Sequence, residues 1–331
     1  MGTAVVQSGV AKPDSFELPD GTPVAILYED RGVLAIDKPP GWMLGPDDAE
    51  HHERNLHRAL VDDIEHAAWW AASRNLKFLR FVHRLDAPTT GVLLFSKSQG
   101  AMSAFSRVFA ERTVKKAYLA VTDAIPQRPS WACTEPLGPD PELHGRHRVD
   151  RRDGKEAETH FELLQVVGQR ALVLARPVTG RTHQIRIHLR QAGCPVVGDI
   201  LYGRRDAHGL ALRAVRLEYP DPFLKRNTVI VAPVAEFCRK FGFDPKSVPP
   251  EVLSRPGRKP GAMPAKPGEP APGDAPAGSA GGPAAPSKDA TVTNRGVWDP
   301  KAESSARPAQ PNRASEHPAQ RPRGERGPKR P

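Results

Sequence analysis

Hydrophobic and polar residues alternate with period two along several short stretches of this chain. Along a few longer ones they recur with period 3.6. Residues 23–28 and 33–37 read as the first two strands, after which Pro39, Pro40 and Gly41 force a turn. Asn55 suits the N-cap of a helix that sets Leu56, Leu60, Ile64 and Ala67 on one stripe. The apolar run Val92-Leu-Leu-Phe95 reads as a buried strand. A helix over 99–111 gathers Met102, Phe105, Val108 and Phe109 on one side. Residues 116–122 alternate as a strand, 158–167 and 171–177 pair about Gly168-Gln169, and late strands fall at 212–218 and 228–231.

Residues 179–198 demand a choice. His183 to Leu189 alternates like a strand, but Thr182 suits an N-cap, and Ile185, Leu189 and Ala192 fall at i, i+4 and i+7. Gly193 stands where a helix ends, with Pro195 soon after. A helix is therefore expected, with Arg186 and Arg190 projecting together one turn apart. Strands and helices interleave without a regular βαβ repeat. The fold class is α+β: a central mixed, largely antiparallel sheet flanked by helices.

Composition then divides the chain. Residues 255–331 hold 16 Pro and 10 Gly but one aromatic, Trp298, and two branched aliphatics. Such a segment cannot bury enough apolar surface to offset backbone ordering at ~1–2 kcal/mol per residue. Residues 1–20 are expected as a flexible lead-in, 21–247 as the folded body, and 248–331 as a disordered Pro/Gly/Ala-rich basic tail. The chain carries 48 Lys and Arg against 38 Asp and Glu, of which residues 255–331 hold 14 and 7, leaving 34 and 31 elsewhere. The basic excess belongs mainly to the tail, where it serves solubility or weak, salt-sensitive contact with a polyanion.

Several classes lose support. No apolar run approaches the ~18 residues of a membrane span, and the N-terminus is too polar for a signal peptide. Cys133, Cys194 and Cys238 are odd in number and far apart, which fits a reducing cytoplasm rather than a disulfide framework. His183 and His188 do not share a helix face, and no HExxH, GxxxxGK[ST] or GxGxxG occurs. No metal, cofactor or nucleotide is expected.

The residues with chemical potential cluster in three runs. In His83-Arg84-Leu85-Asp86, the Asp precedes a Pro88/Gly91 turn. It serves either as an Asx turn or as a carboxylate held at a loop tip for nucleophilic or base catalysis, with Arg84, Arg181 or Arg186 as its cation. Gly180-Arg181-Thr182-His183-Gln184-Ile185-Arg186 opens a helix, either as a solvated end or as an anion site. Tyr118, after Lys115 and Lys116, either packs in the core or stacks on a base. The basic run from His144 to Arg152, with Lys155, is a solvated loop or a contact for a phosphate backbone.

In order, HRLDAPTTG, KKAYLA and GRTHQIRIHLRQAGCPVVGD resemble the motif regions of pseudouridine synthases of the RluA type. The flanking ILYEDRGVLAIDKPPG, GKEAETHFELL and APVAEFCRKFGF resemble the same family, so the likeness spans roughly residues 23–245. It implies the pseudouridine synthase catalytic fold and isomerisation of uridine in RNA, ribosomal RNA first and transfer RNA second, by a cytoplasmic monomer without cofactor. It implies Asp86 as essential carboxylate, Arg186 as its partner and Tyr118 against the target base. Arg84 would fill the gap left by the flipped uridine. His83, Arg181, Thr182, His183 and Gln184 would lie at the substrate. Stacking by Tyr118 and a carboxylate facing positive character at C1′ agree with that chemistry. Trp42 to Pro46 and Leu212-Arg213-Ala214 depart from the usual family residues without touching these positions. The competing reading is a non-catalytic RNA-binding or ribosome-assembly protein that keeps the fold.

Overall fold

The computed structural model describes residues 11–45 and 54–254. The strands are β1 (Ser15–Glu17), β2 (Pro23–Glu29), β3 (Val33–Lys38), β4 (Arg80–Phe81), β5 (Thr90–Ser96), β6 (Lys115–Thr122), β7 (Ser130–Cys133), β8 (Leu137–Pro139), β9 (His147–Val149), β10 (Thr159–Val167), β11 (Arg170–Pro177), β12 (Leu212–Pro220) and β13 (Asn227–Val231). The helices are α1 (Leu56–Glu65), α2 (Trp69–Ala72), α3 (Gln99–Ala110), α4 (Gln184–Gln191), α5 (Ala235–Lys240) and α6 (Pro250–Leu253). No helix among the described residues is long and apolar enough to cross a membrane.

One sheet runs in the order β1-β2-β3-β5-β12-β6-β11-β10-β7, with β4 also on β5 and β13 also on β12. Its pairs are antiparallel except β5 with β12, where Thr90 and Gly91 face Arg213 and Ala214 respectively. The sheet is therefore two antiparallel halves joined by one short parallel contact. That contact is close: a Cβ on Gly91, at φ +106°, would lie 2.0 Å from the Ala214 carbonyl oxygen. The expected mixed, largely antiparallel sheet is what forms.

Both faces of the first half are covered, which explains its near-continuous apolar strands. Leu34, Ile36, Leu93 and Phe95 pack toward α1 and α2 with Trp42, Leu60 and Trp70. Their alternates Val33, Ala35, Val92 and Leu94 pack toward α3 with Phe105 and Val108. The second half buries Leu119, Val121, Leu172 and Leu174 against α4, α5 and the C-terminal turns. Asn55 caps α1 by accepting from Arg58 N at 3.2 Å, and Ser98 caps α3 from Ala101 N at 3.1 Å.

Three boundaries move. Ser15–Glu17, inside the expected lead-in, pairs with β2 and buries Phe16. The body does not stop at residue 247, because Val248 and Val252 are buried in the second core; their Pro-rich flanks disguise them as tail. Residues 1–10 and 255–331 of the expected extensions lie outside the described residues. Helix α4 is confirmed at its end: Cys194 N donates to Leu189 O and Gly193 N to Arg190 O, the Schellman arrangement with Gly193 at φ +77°. Its start differs. The N-cap is His183 in the left-handed region at φ 57°, and Thr182 is exposed.

Candidate active site

Asp86 sits in the loop between β4 and β5, beside the parallel junction. The loop is pinned from behind by Lys38, whose fully buried ammonium donates to the carbonyls of Ala87 at 2.8 Å, Thr89 at 3.1 Å and Pro39 at 3.0 Å. Three acceptors match the three protons of an ammonium. Burial nonetheless pushes the Lys38 pKa down to about 7, with the Asp86 charge pulling the other way. Gly41 N and Thr89 N complete the loop by donating to Ala87 O and Asp86 O.

The carboxylate end is held by Arg186, whose Nη1 donates to Asp86 Oδ2 at 2.9 Å. Arg186 is buried and spends its other nitrogens on Asp199: Nε to Oδ2 at 2.7 Å and Nη2 to Oδ1 at 2.8 Å. Asp199 is fully buried and also accepts from Leu201 N and Tyr202 N. Burial opposes a charged guanidinium, but Asp199 and Asp86 outweigh it and raise the Arg186 pKa. Arg186 and Arg190 do not act as a pair, because Arg186 turns into this buried cluster while Arg190 remains exposed.

Tyr118 lies on β6, where it pairs with Ala214 of β12 and Ala175 of β11, and it packs on both halves of the core. Burial, and next the Asp86 carboxylate, raise its pKa, so the phenol keeps its proton. His183 points Nε2 toward Asp86 Oδ2 at 3.9 Å and shares a 2.9 Å hydrogen bond between Nδ1 and the Tyr202 hydroxyl. Burial lowers its pKa to about 4 despite Asp86, so His183 is neutral near pH 7. The structure therefore gathers Asp86, Tyr118, Arg186 and His183.

The remaining expected site residues divide. Arg84 is exposed on the Asp86 loop. His83 instead faces inward: its Nε2 accepts from Leu94 N at 3.2 Å, its ring stacks on Phe109, and burial, then Lys116, pushes its pKa to about 3. Gln184 is a buried fastener. Its Oε1 accepts from Thr179 Oγ1 and Arg181 N, and its Nε2 donates to Glu158 O and Thr159 Oγ1. Arg181 Nε donates to Glu156 O at 2.8 Å. His83 and Gln184 therefore hold the site's frame rather than face the cleft. Lys38, Asp199 and Tyr202 are the participants that motif reading passed over. The available signal for Asp199 was Gly198-Asp199 closing the third motif run: a buried arginine beside a half-exposed carboxylate needs a second anion.

An ion-paired carboxylate next to a protonated tyrosine can stabilise positive charge at a sugar carbon, attack it, or take a proton from its neighbour. The mixed sheet with this site is a pseudouridine synthase fold. The human protein RNA Pseudouridylate Synthase Domain Containing 1 superposes with TM-score 0.52 at 25% identity, covering 64% of this chain and 84% of that one. The family described as RNA pseudouridylate synthase matches residues 32–191. The ribosomal large subunit pseudouridine synthase C of Vibrio vulnificus is 33% identical over 224 residues, 65% of this chain and 67% of that protein. The uncharacterized RNA pseudouridine synthase YlyB of Bacillus subtilis is 32% identical over 232 residues, 69% and 75% of the two. This chain belongs to the RNA pseudouridine synthase family, whose members are isomerases.

Proposed function

We propose that this chain converts uridine to pseudouridine in ribosomal RNA, with Asp86 as the essential carboxylate; transfer RNA is the second substrate class. The observation that carries the reading is the Asp86–Arg186 pair beside Tyr118. The N1–C1′ bond of the target breaks, the freed uracil turns, and a C5–C1′ bond forms. The C5 proton leaves and N1 is protonated, so atoms balance without a cofactor. Asp86 faces C1′, Arg186 fixes the carboxylate, and Tyr118 packs on the base. Arg84, exposed on the same loop, takes the place of the extruded nucleotide in the stack. The name of the Vibrio vulnificus relative specifies the ribosomal large subunit, which favours ribosomal RNA. The reading places a monomer among cytoplasmic RNA.

The test is a map of pseudouridine in cellular RNA with and without the gene, together with Asp86→Asn assayed on the RNA so identified. A site lost with the gene and not restored by Asp86→Asn supports the reading. Wild-type turnover by Asp86→Asn overturns the role of Asp86. RNA binding by the wild type with no pseudouridine formed supports the non-catalytic alternative instead.

A further inference from the structure

The short β8–β9 hairpin stands apart from the main sheet and leaves a cavity of about 250 Å³ between itself and α4. Arg146, Arg148 and Arg190 line it, against a single acid, Asp140. The Arg146–Asp140 approach is 3.8 Å, too long for a hydrogen bond. Arg146 Nε and His147 Nδ1 are buried without a hydrogen-bond partner among the described residues. Buried polar nitrogens are ordinarily satisfied; Arg146 Nε can only donate, so in this basic cavity it points to an acceptor, which His147 Nδ1 also meets in its N–H tautomer.

Tyr202 forms the wall between this cavity and the Asp86 site. Its hydroxyl bonds His183 on one side and accepts from His147 N on the other. Its ring lies 5.1 Å from Arg186 Cζ and 5.4 Å from Arg146 Cζ. A group in the cavity is thus one aromatic ring away from the catalytic cluster. We propose that this cavity is a second RNA site, holding a backbone phosphate of the strand next to the target uridine. An arginine fork supplies the planar paired donors that phosphate takes, and a strand entering the Asp86 cleft brings a phosphate to every nucleotide step. The assignment rests on the RNA reading above and adds to it where the flanking strand runs.

Arg148 and Arg190 are exposed, so Arg148→Ala/Arg190→Ala leaves the core intact. Binding of a short single-stranded oligouridylate is measured by fluorescence anisotropy across a potassium chloride series. A charge-matched control, Arg226→Ala/Lys246→Ala, removes two exposed cations elsewhere. The cavity variant is expected to bind on the order of tenfold more weakly and to lose about 1 from the log–log salt slope per cation. The control is expected to stay near wild type. Equal behaviour of the two double variants overturns the proposal. A wild-type chain that binds RNA but forms no pseudouridine overturns the proposed function alone, because the binding comparison still decides the cavity.

Discussion

Arg186 is shared by two carboxylates in unlike surroundings, and the difference predicts opposite phenotypes for two chemically identical substitutions. Asp199 is fully buried and meets the guanidinium through two bonds, at 2.7 and 2.8 Å. In Asp199→Asn the amide oxygen can keep the Oδ1 contacts to Leu201 N and Tyr202 N. The amide NH2 then faces Arg186 Nε, donor against donor. Removing one partner of a buried pair costs about 3–5 kcal/mol. At about 2–4 °C per kcal/mol for a domain of this size, Tm falls by roughly 6–20 °C. Asp86 is partly exposed and makes one bond to Arg186, which stays paired with Asp199 when Asp86 is neutralised. Asp86→Asn is therefore expected to cost about 1 kcal/mol and, under the proposed function, to abolish turnover. Thermal unfolding by circular dichroism and single-turnover assays below each variant's Tm read the two quantities separately. Asp199→Asn is expected to lower kcat with little change in KM, since the cluster that aims Asp86 loosens while the cleft surface stays. An unchanged Tm for Asp199→Asn, or a larger Tm loss for Asp86→Asn, refutes the reasoning.

Further outcomes follow from the same structure. Tyr118→Phe keeps the ring and its packing and is expected to lower single-turnover pseudouridine formation about 10²–10⁴-fold if the hydroxyl moves a proton, with Tm near wild type. Gly198 lies at φ +76°, and a Cβ there would fall 1.9 Å from Gly209 O; Gly198→Ala should cost on the order of 3–5 kcal/mol in urea melts. Gly145→Ala, at φ +77° with open space around it, should cost only about 1–2 kcal/mol. His83 and His183 have folded pKa values of about 3 and about 4, below the unfolded value near 6.5. Unfolding therefore takes up protons below that value, and stability declines as pH falls from about 6.5 toward 4, by about 1.4 kcal/mol per pH unit for each His. His83→Gln, which keeps an acceptor for Leu94 N, should remove one such contribution from urea-melt stability between pH 6.5 and 5.

The strands that the sequence made legible are those whose alternation is enforced by cores on both faces, such as β3 and β5. The short strands β7, β8 and β9 were not, because runs of three or four residues are too short to establish a period. The start of α4 misled for a different reason. Thr182 has the right side chain for a cap, but the buried amide of Gln184 ties the preceding turn instead and leaves His183 in the left-handed region. Asp86, Tyr118 and Arg186 were recognisable by motif, whereas their convergence depends on the parallel β5–β12 contact, whose strands lie over a hundred residues apart. Asp199 and Lys38 carry no distinctive spacing. What marks them is burial, and burial of an ionic side chain becomes visible only in three dimensions.

Two of the missed residues, Asp199 and Lys38, explain how the site reconciles two demands. In the proposed reaction a carboxylate facing a developing positive charge must be fixed, yet an arginine close enough to fix it also cancels its charge. Here the guanidinium is shared, so the cluster of Asp86, Arg186 and Asp199 carries two formal negative charges against one positive. The buried Asp199 takes the bidentate face, leaving Asp86 a single bond and an edge toward the cleft. Lys38 fixes the same loop through main-chain carbonyls rather than through the carboxylate. Orientation is thereby set during folding, where it no longer adds to the barrier of the reaction. A net negative cluster in turn repels the phosphates of an incoming strand. Under the proposed function, cations that receive the strand stand beyond the cluster, which is where Arg146, Arg148 and Arg190 lie, across Tyr202.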